Sequence, residues 1–198
     1  MNDTKQLILK TAIRLFLQKT FREVTMNEIV DATGLSKGAF YHYFTSKEEL
    51  FLETVSNYVE GTMTMDWSRY SKSSLYDFFN DYMTNVSEKL KEFRIEFGNA
   101  YNINYYSLFF DAFKLSPEFR EKLKLFQDAE KNAWKEIISL ARKNGEITSP
   151  MTDEQIAQIF IYISDGVGIS FIQEGKPEET MMTEIRSLWD NFYKQLHG

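Results

Sequence analysis

The chain has 198 residues, enough for one large or two small domains with a buried core, and it is 43% hydrophobic and 26% charged, the ordinary balance of a globular protein. It holds no cysteine, which excludes disulfides, thiolate metal sites and cysteine nucleophiles, and its two histidines, His42 and His197, are too few for a histidine-built metal centre, so neither metal nor cofactor is expected. The net charge of −6 excludes a uniformly basic nucleic-acid coat, but residues 1–50 carry seven Lys/Arg against six Asp/Glu, net +1, leaving −7 for the remainder.

Every segment reads as helix, so the expected class is all-α. The opening MNDTKQLILK lacks the basic start and long apolar core of a signal peptide, and no apolar run reads as long enough to span a bilayer; a cytoplasmic location without membrane contact is expected. A first helix over 3–19 places Leu7, Ile8, Thr11, Ala12, Leu15 and Phe16 on one face. Phe21 and Val24 lead into a second helix, where Thr25 and Glu28 form a T-x-x-E capping box. Val24, Met26, Ile29, Val30 and Ala32 give that helix a compact apolar face, Gly34 breaks it, Leu35 plugs the corner and Ser36 caps a third helix. Thr45 or Ser46 starts a fourth, with Glu48 and Glu49 at its positive end, continuing to about Gly61. This layout is a helix-turn-helix, a unit that presents its second helix to the DNA major groove. GTMTMDWSRYSKSS reads as a linker, and Leu75, Phe78, Phe79, Tyr82, Met83, Val86 and Leu90 mark the next amphipathic helix. Pro117 opens a long helix ending before Asn144-Gly145; SPMTDEQ restarts a helix running to Glu174-Gly175; a last one follows Pro177 and ends near Leu196. The expected division is a helix-turn-helix domain over 1–50 and a helical effector-binding and dimerisation domain over 51–198.

A helix entering a groove needs short or polar side chains and a close approach to phosphates, which Ser36, Lys37, Gly38 and Ala39 supply. Gly38 inside a helix costs about 1 kcal/mol relative to alanine, so a compensating reason is required: close backbone approach to DNA, or tight packing against the preceding helix. Lys37 is the candidate for a base or phosphate contact. Thr25 and Lys47 stand at helix N-termini, where backbone N–H groups attract phosphate; the competing readings are a plain cap and a solvated lysine. Lys10 and Arg14 read as a solvated charged face.

Residues 7–53, and above all the run GLSKGAFYHYFTSKEEL from Gly34 to Leu50, resemble the N-terminal domain of the TetR family of bacterial transcriptional regulators. The resemblance implies that Tyr41 and His42 end the recognition helix against DNA backbone or base edges while Tyr43 and Phe44 pack inward, although four consecutive aromatic rings could instead all seal the core. It also implies a variable helical body that binds small molecules, and assembly as a homodimer.

In that body, eight of the 21 residues between Phe93 and Phe113 are aromatic, six of them four residues apart; such spacing drifts by about 40° per step on a helix, so they cannot all line one cavity. Phe78, Tyr82, Tyr101, Tyr105, Phe109 and Trp134 are the expected ligand-lining residues, against the plainer reading of an aromatic core. Glu96 or Asp111 would meet a cationic ligand, or would simply be exposed. Ile156, Phe160, Ile163, Val167, Phe171, Ile185, Trp189 and Phe192 make the last two helices wider in apolar surface than one buried face requires, and are the expected homodimer interface. The resulting expectation is a repressor that reads a palindromic double-stranded DNA operator and releases it when a small apolar or aromatic effector binds. The alternative keeps the DNA-binding head under a protein partner or no effector. An enzyme is disfavoured, because no glycine-rich phosphate loop, G-x-S-x-G elbow or histidine pair is present.

Overall fold

The computed structural model describes residues 3–98, 103–176 and 178–197, and all regular structure among them is helical. Contacts group the chain into two compact units, Met1–Thr64 with Phe93–Lys124 and Met65–Glu92 with Leu125–Gly198. Residue 50, where the sequence suggests a boundary, lies inside a helix of the first unit.

In the first unit α1 (Asp3–Gln18) buries Ile8, Leu9, Ala12, Ile13, Phe16 and Leu17, the three-and-four spacing of one helical face. In α2 (Met26–Thr33) the Thr25 hydroxyl accepts the Glu28 N–H at 3.2 Å, and the chain leaves through Gly34 at φ +70°, a left-handed conformation that favours glycine. The short α3 (Lys37–Tyr41) and α4 (Lys47–Tyr58) follow, capped by Ser36 and Ser46. The fourth helix stops at Tyr58 rather than Gly61, and a single turn, α5 (Glu60–Met63), succeeds it. From the second stretch come the end of α6 (Leu75–Phe97), α7 (Ile103–Leu115) and the start of α8 (Pro117–Lys143). α7 packs on α1 and α4, bringing Tyr105, Leu108 and Ala112 into the core that holds Phe16, Phe40, Phe44 and Phe51.

The second unit contains the 3-10 turn Trp67–Arg69, the first part of α6, most of α8, and the paired α9 (Asp153–Glu174) and α10 (Glu178–Gln195). Its centre is a set of large rings: Trp134 stacks on Phe160 at 4.7 Å, and Trp189 meets both nearly edge-on while its indole N–H donates to the Phe160 carbonyl at 3.0 Å. The turn after α8 is closed by Arg142, whose guanidinium donates to Asp153 at 3.0 Å and to the Ser149 and Met151 carbonyls at 2.7 and 2.8 Å. α9 starts from a complete capping box between Thr152 and Gln155. One expectation is corrected: α9 is long and apolar enough to cross a membrane by length and composition. Part of its apolar surface turns inward, with Ile156, Ala157, Phe160, Val167, Gly168 and Phe171 buried inside the unit, while Tyr162 and Ile169 stay exposed.

Candidate functional site

The helix-turn-helix sorts its side chains cleanly. Phe40 and Phe44 are fully buried and Tyr43 is half-buried, whereas Ser36, Lys37, Gly38, Ala39, Tyr41 and His42 are all exposed. The Ser36 hydroxyl accepts the Ala39 N–H at 3.3 Å, which fixes where α3 begins and therefore which residues face outward. A methyl group built on Gly38 would meet nothing within 4 Å, so packing against the preceding helix does not explain the glycine. Lys37 makes no hydrogen bond or ion pair among the described residues. Lys47 differs: its ammonium donates to the Phe21 and Val24 carbonyls at 2.8 and 2.9 Å and sits 4.4 Å over the Phe21 ring. It ties the start of α4 to the turn before α2. Thr25 is exposed, with its hydroxyl engaged as the cap. Lys10 pairs with Glu96 at 3.0 Å on the surface, and Asp111 lies 3.7 Å from Lys114, so each of those carboxylates faces a lysine of its own chain.

A second constellation lies in the other unit. Trp67 lies nearly parallel to Phe78 and Tyr82, with ring centres 6.3 and 6.2 Å apart; Tyr70 packs on Trp67 at 5.0 Å, and Trp134 on Phe78 and Tyr82 at 4.9 and 5.5 Å. Among these rings Glu130 accepts the Tyr82 hydroxyl at 2.7 Å. Burial raises the Glu130 carboxyl to about 7, opposed by the Tyr82 hydrogen bond and reinforced by the charge of Asp165. The same surroundings push the Tyr82 hydroxyl well above its ordinary range, and burial lifts Tyr70 to about 12. Separately, a groove of about 430 Å³ between α6 and α10 is lined by Met83, Ser87, Lys91, Met182 and Arg186.

Residues 8–54 match the model of the bacterial regulatory proteins, tetR family. This helix-turn-helix is a TetR-family domain. A stretch of 63 residues resembles YerO, an uncharacterised HTH-type transcriptional regulator of Bacillus subtilis (strain 168), at 48% identity, a match spanning 32% of this chain and 22% of YerO. IcaR of Staphylococcus aureus, the negative transcriptional regulator of the biofilm operon icaADBC, is 25% identical over 101 residues, covering 48% of this chain and 54% of IcaR. A transcriptional regulator from Saccharomonospora viridis, solved in complex with choline, shares the fold with a TM-score of 0.67 at 16% identity, over 96% of this chain and 97% of that one.

Beyond this TetR-family domain, the structure gathers only part of what the sequence groups as a pocket. Phe78, Tyr82 and Trp134 stand together in the second unit, whereas Tyr105 and Phe109 pack with Phe93 and Phe119 in the core of the first. Tyr101 lies outside the described residues. Of the residues assigned to the dimer contact, Ile156, Phe160, Val167, Phe171, Ile185 and Trp189 are buried within the unit, and Ile163 and Phe192 are half-buried. The face that α9 leaves open carries Tyr162, Gly166 and Ile169, and α10 adds Leu188. Sequence reasoning missed Glu130, Trp67 and Tyr70. A signal existed for Glu130, which precedes Trp134 by four residues and so shares the face of α8 that turns inward. Trp67 and Tyr70 sat in a stretch read as linker.

Proposed function

We propose that this chain is a homodimeric transcriptional repressor that binds a palindromic operator through the exposed face of α3 and releases it when a small apolar or aromatic molecule binds the second unit. The observation that carries the reading is the surface of α3: Ser36, Lys37, Gly38, Ala39, Tyr41 and His42 face outward around a single buried anchor, Phe40. Gly38 has space for a side chain within the protein, which leaves the approach of an external surface as the reason for having none. Lys37 is free to neutralise a phosphate or reach a base edge. Repression agrees with the negative regulator IcaR among the relatives. An effector site in the second unit is supported by the ring cluster around Trp134, and dimerisation by the open apolar face of α9. As a non-catalytic protein, it would act by exchanging one binding equilibrium for another, a coupling of about 1–3 kcal/mol being sufficient.

The test is selection of genomic DNA fragments by the purified protein at about physiological salt, followed by sequencing. A recovered palindrome beside a gene whose expression rises when this protein is deleted supports the repressor. Recovery of no sequence in preference to bulk DNA overturns the operator reading.

A further inference from the structure

Glu130 is a carboxylate among aromatic rings with no cation beside it. Among the described residues no lysine, arginine or histidine forms an ion pair with it; its polar neighbour is the Tyr82 hydroxyl, and another carboxylate, Asp165, adds a like charge acting on it. Two other carboxylates of the second unit are better provided: Glu146 accepts two backbone N–H groups and a tyrosine hydroxyl, and Asp153 accepts from Arg142. Trp134, fully buried against the same rings, leaves its indole N–H without an acceptor. Apart from that N–H donor, the groups around Glu130 share one electrostatic character. Two carboxylates and the negative faces of Trp67, Tyr70, Phe78, Tyr82 and Trp134 all favour positive charge and disfavour anions.

We infer that the ligand of the second unit is a bulky, weakly hydrated organic cation, held by the Glu130 carboxylate and the faces of Trp67, Tyr82 and Trp134. A compact, strongly hydrated ammonium would lose more water than the rings return, whereas a quaternary or charge-delocalised cation loses little and gains ring-face attraction. Trp67 is the half-buried ring carried by a single 3-10 turn, so it is the wall that can move without unwinding an α-helix. Burial raises the Glu130 carboxyl to about 7, so near neutral pH a bound cation competes with a proton there. Binding is then linked to pH through Glu130, which is faced by Tyr82 from α6, Tyr70 from the segment before it, and Asp165 from α9. The inference rests on the second unit being the effector-binding part of the repressor.

The experiment uses the full chain, tryptophan fluorescence and calorimetry at about 0.15 M salt, and three probes: tetraphenylphosphonium, tetraphenylborate of nearly the same shape and opposite charge, and neutral triphenylphosphine oxide. The phosphonium is expected to bind at least about tenfold more tightly than either of the others, and about tenfold more tightly at pH 8 than at pH 6, as Glu130 loses its proton. Glu130→Gln, which keeps an acceptor for Tyr82, should lose both preferences, while Asp128→Asn at a nearby exposed carboxylate should lose neither. Equal binding of borate or oxide, no binding of the phosphonium, or undiminished phosphonium binding by Glu130→Gln overturns the inference. Adding operator DNA separates the two readings. Glu130-dependent cation binding that leaves the operator complex intact sustains the cation site and removes its role as effector site. Operator release by a neutral probe bound without charge preference does the reverse.

Discussion

Lys37 and Lys47 are ten residues apart in the same helix-turn-helix and have opposite surroundings. Lys37 is exposed with no partner among the described residues, whereas Lys47 donates to two backbone carbonyls and covers the Phe21 ring. Charge-assisted bonds to half-buried carbonyls stabilise by roughly 1.5–3 kcal/mol each at most, so Lys47→Ala is expected to destabilise the helix-turn-helix by about 2 kcal/mol in urea unfolding. Lys37→Ala should leave stability within about 0.5 kcal/mol and lower both operator affinity and the slope of its salt dependence. Equal stability of the two variants would show that the Lys47 clamp contributes nothing. Glu130 gives a different signature. Its folded carboxyl lies at about 7, above the ordinary 4.5, so between those values the folded chain holds a proton that the unfolded chain has released. The stability this group contributes is complete below the lower value and is lost as pH rises through the higher one, up to about 3 kcal/mol in all. Glu130→Gln has no such titration. Compared with its parent, the variant is expected to gain relative stability between pH 5 and pH 8; parallel urea midpoints across that range would count against the buried carboxyl.

Helix ends show where the sequence is legible. Thr25 and Ser36 each cap a helix as their spacing predicts, and Gly34 ends α2 in the left-handed conformation, because a cap depends on residues three or four positions away. The N-terminus of α6 depends on more than its neighbours. Glu146, 71 residues further on, accepts the Leu75 N–H at 3.0 Å and the Tyr76 N–H at 3.2 Å, and it also accepts the Tyr193 hydroxyl at 2.8 Å. Nothing local marks Glu146 for that role. The same limit hid the aromatic site: Phe78, Tyr82 and Trp134 were visible as inward-facing rings, but which rings meet was decided by long-range packing, which put Tyr105 and Phe109 in the first unit. In α3 the local and long-range arguments conflict usefully at Gly38. Helix propensity favours alanine there by about 1 kcal/mol, and no atom of the chain obstructs the methyl group. Gly38→Ala should therefore raise the stability of the unit by up to about 1 kcal/mol while weakening operator binding. A variant that is more stable and binds the operator as tightly as its parent would mean that DNA does not approach the α3 backbone closely.

At the scale of the whole molecule, the proposed contact between two copies falls to the open surface of α9. Apolar residues four apart along α9 fill the interior of the second unit, so the stripe most visible in the sequence is the one least available to a partner. What remains outward is narrower: Tyr162 is 64% exposed and Ile169 46%, with Gly166 between them and unobstructed by any atom of its own chain. A second copy of the helix can approach closely at such a glycine, with the flanking side chains meeting across a two-fold axis. Leu188 on α10, 41% exposed, widens the patch. Replacing a surface residue costs the isolated unit little, whereas burying a carboxylate unpaired in a dimer contact costs several kcal/mol. Ile169→Glu is thus expected to keep its thermal unfolding signature at the level of an isolated unit and to sediment as a monomer at concentrations where the parent is a dimer. Operator affinity should fall with it by more than tenfold, because half-sites about 34–36 Å apart reward only a protein that engages both. Phe160→Ala provides the contrast: it removes a ring stacked on Trp134 and should unfold the unit by about 3–5 kcal/mol rather than merely separate the copies. If Ile169→Glu remained a dimer with undiminished operator affinity, the contact between copies would have to be sought away from this face.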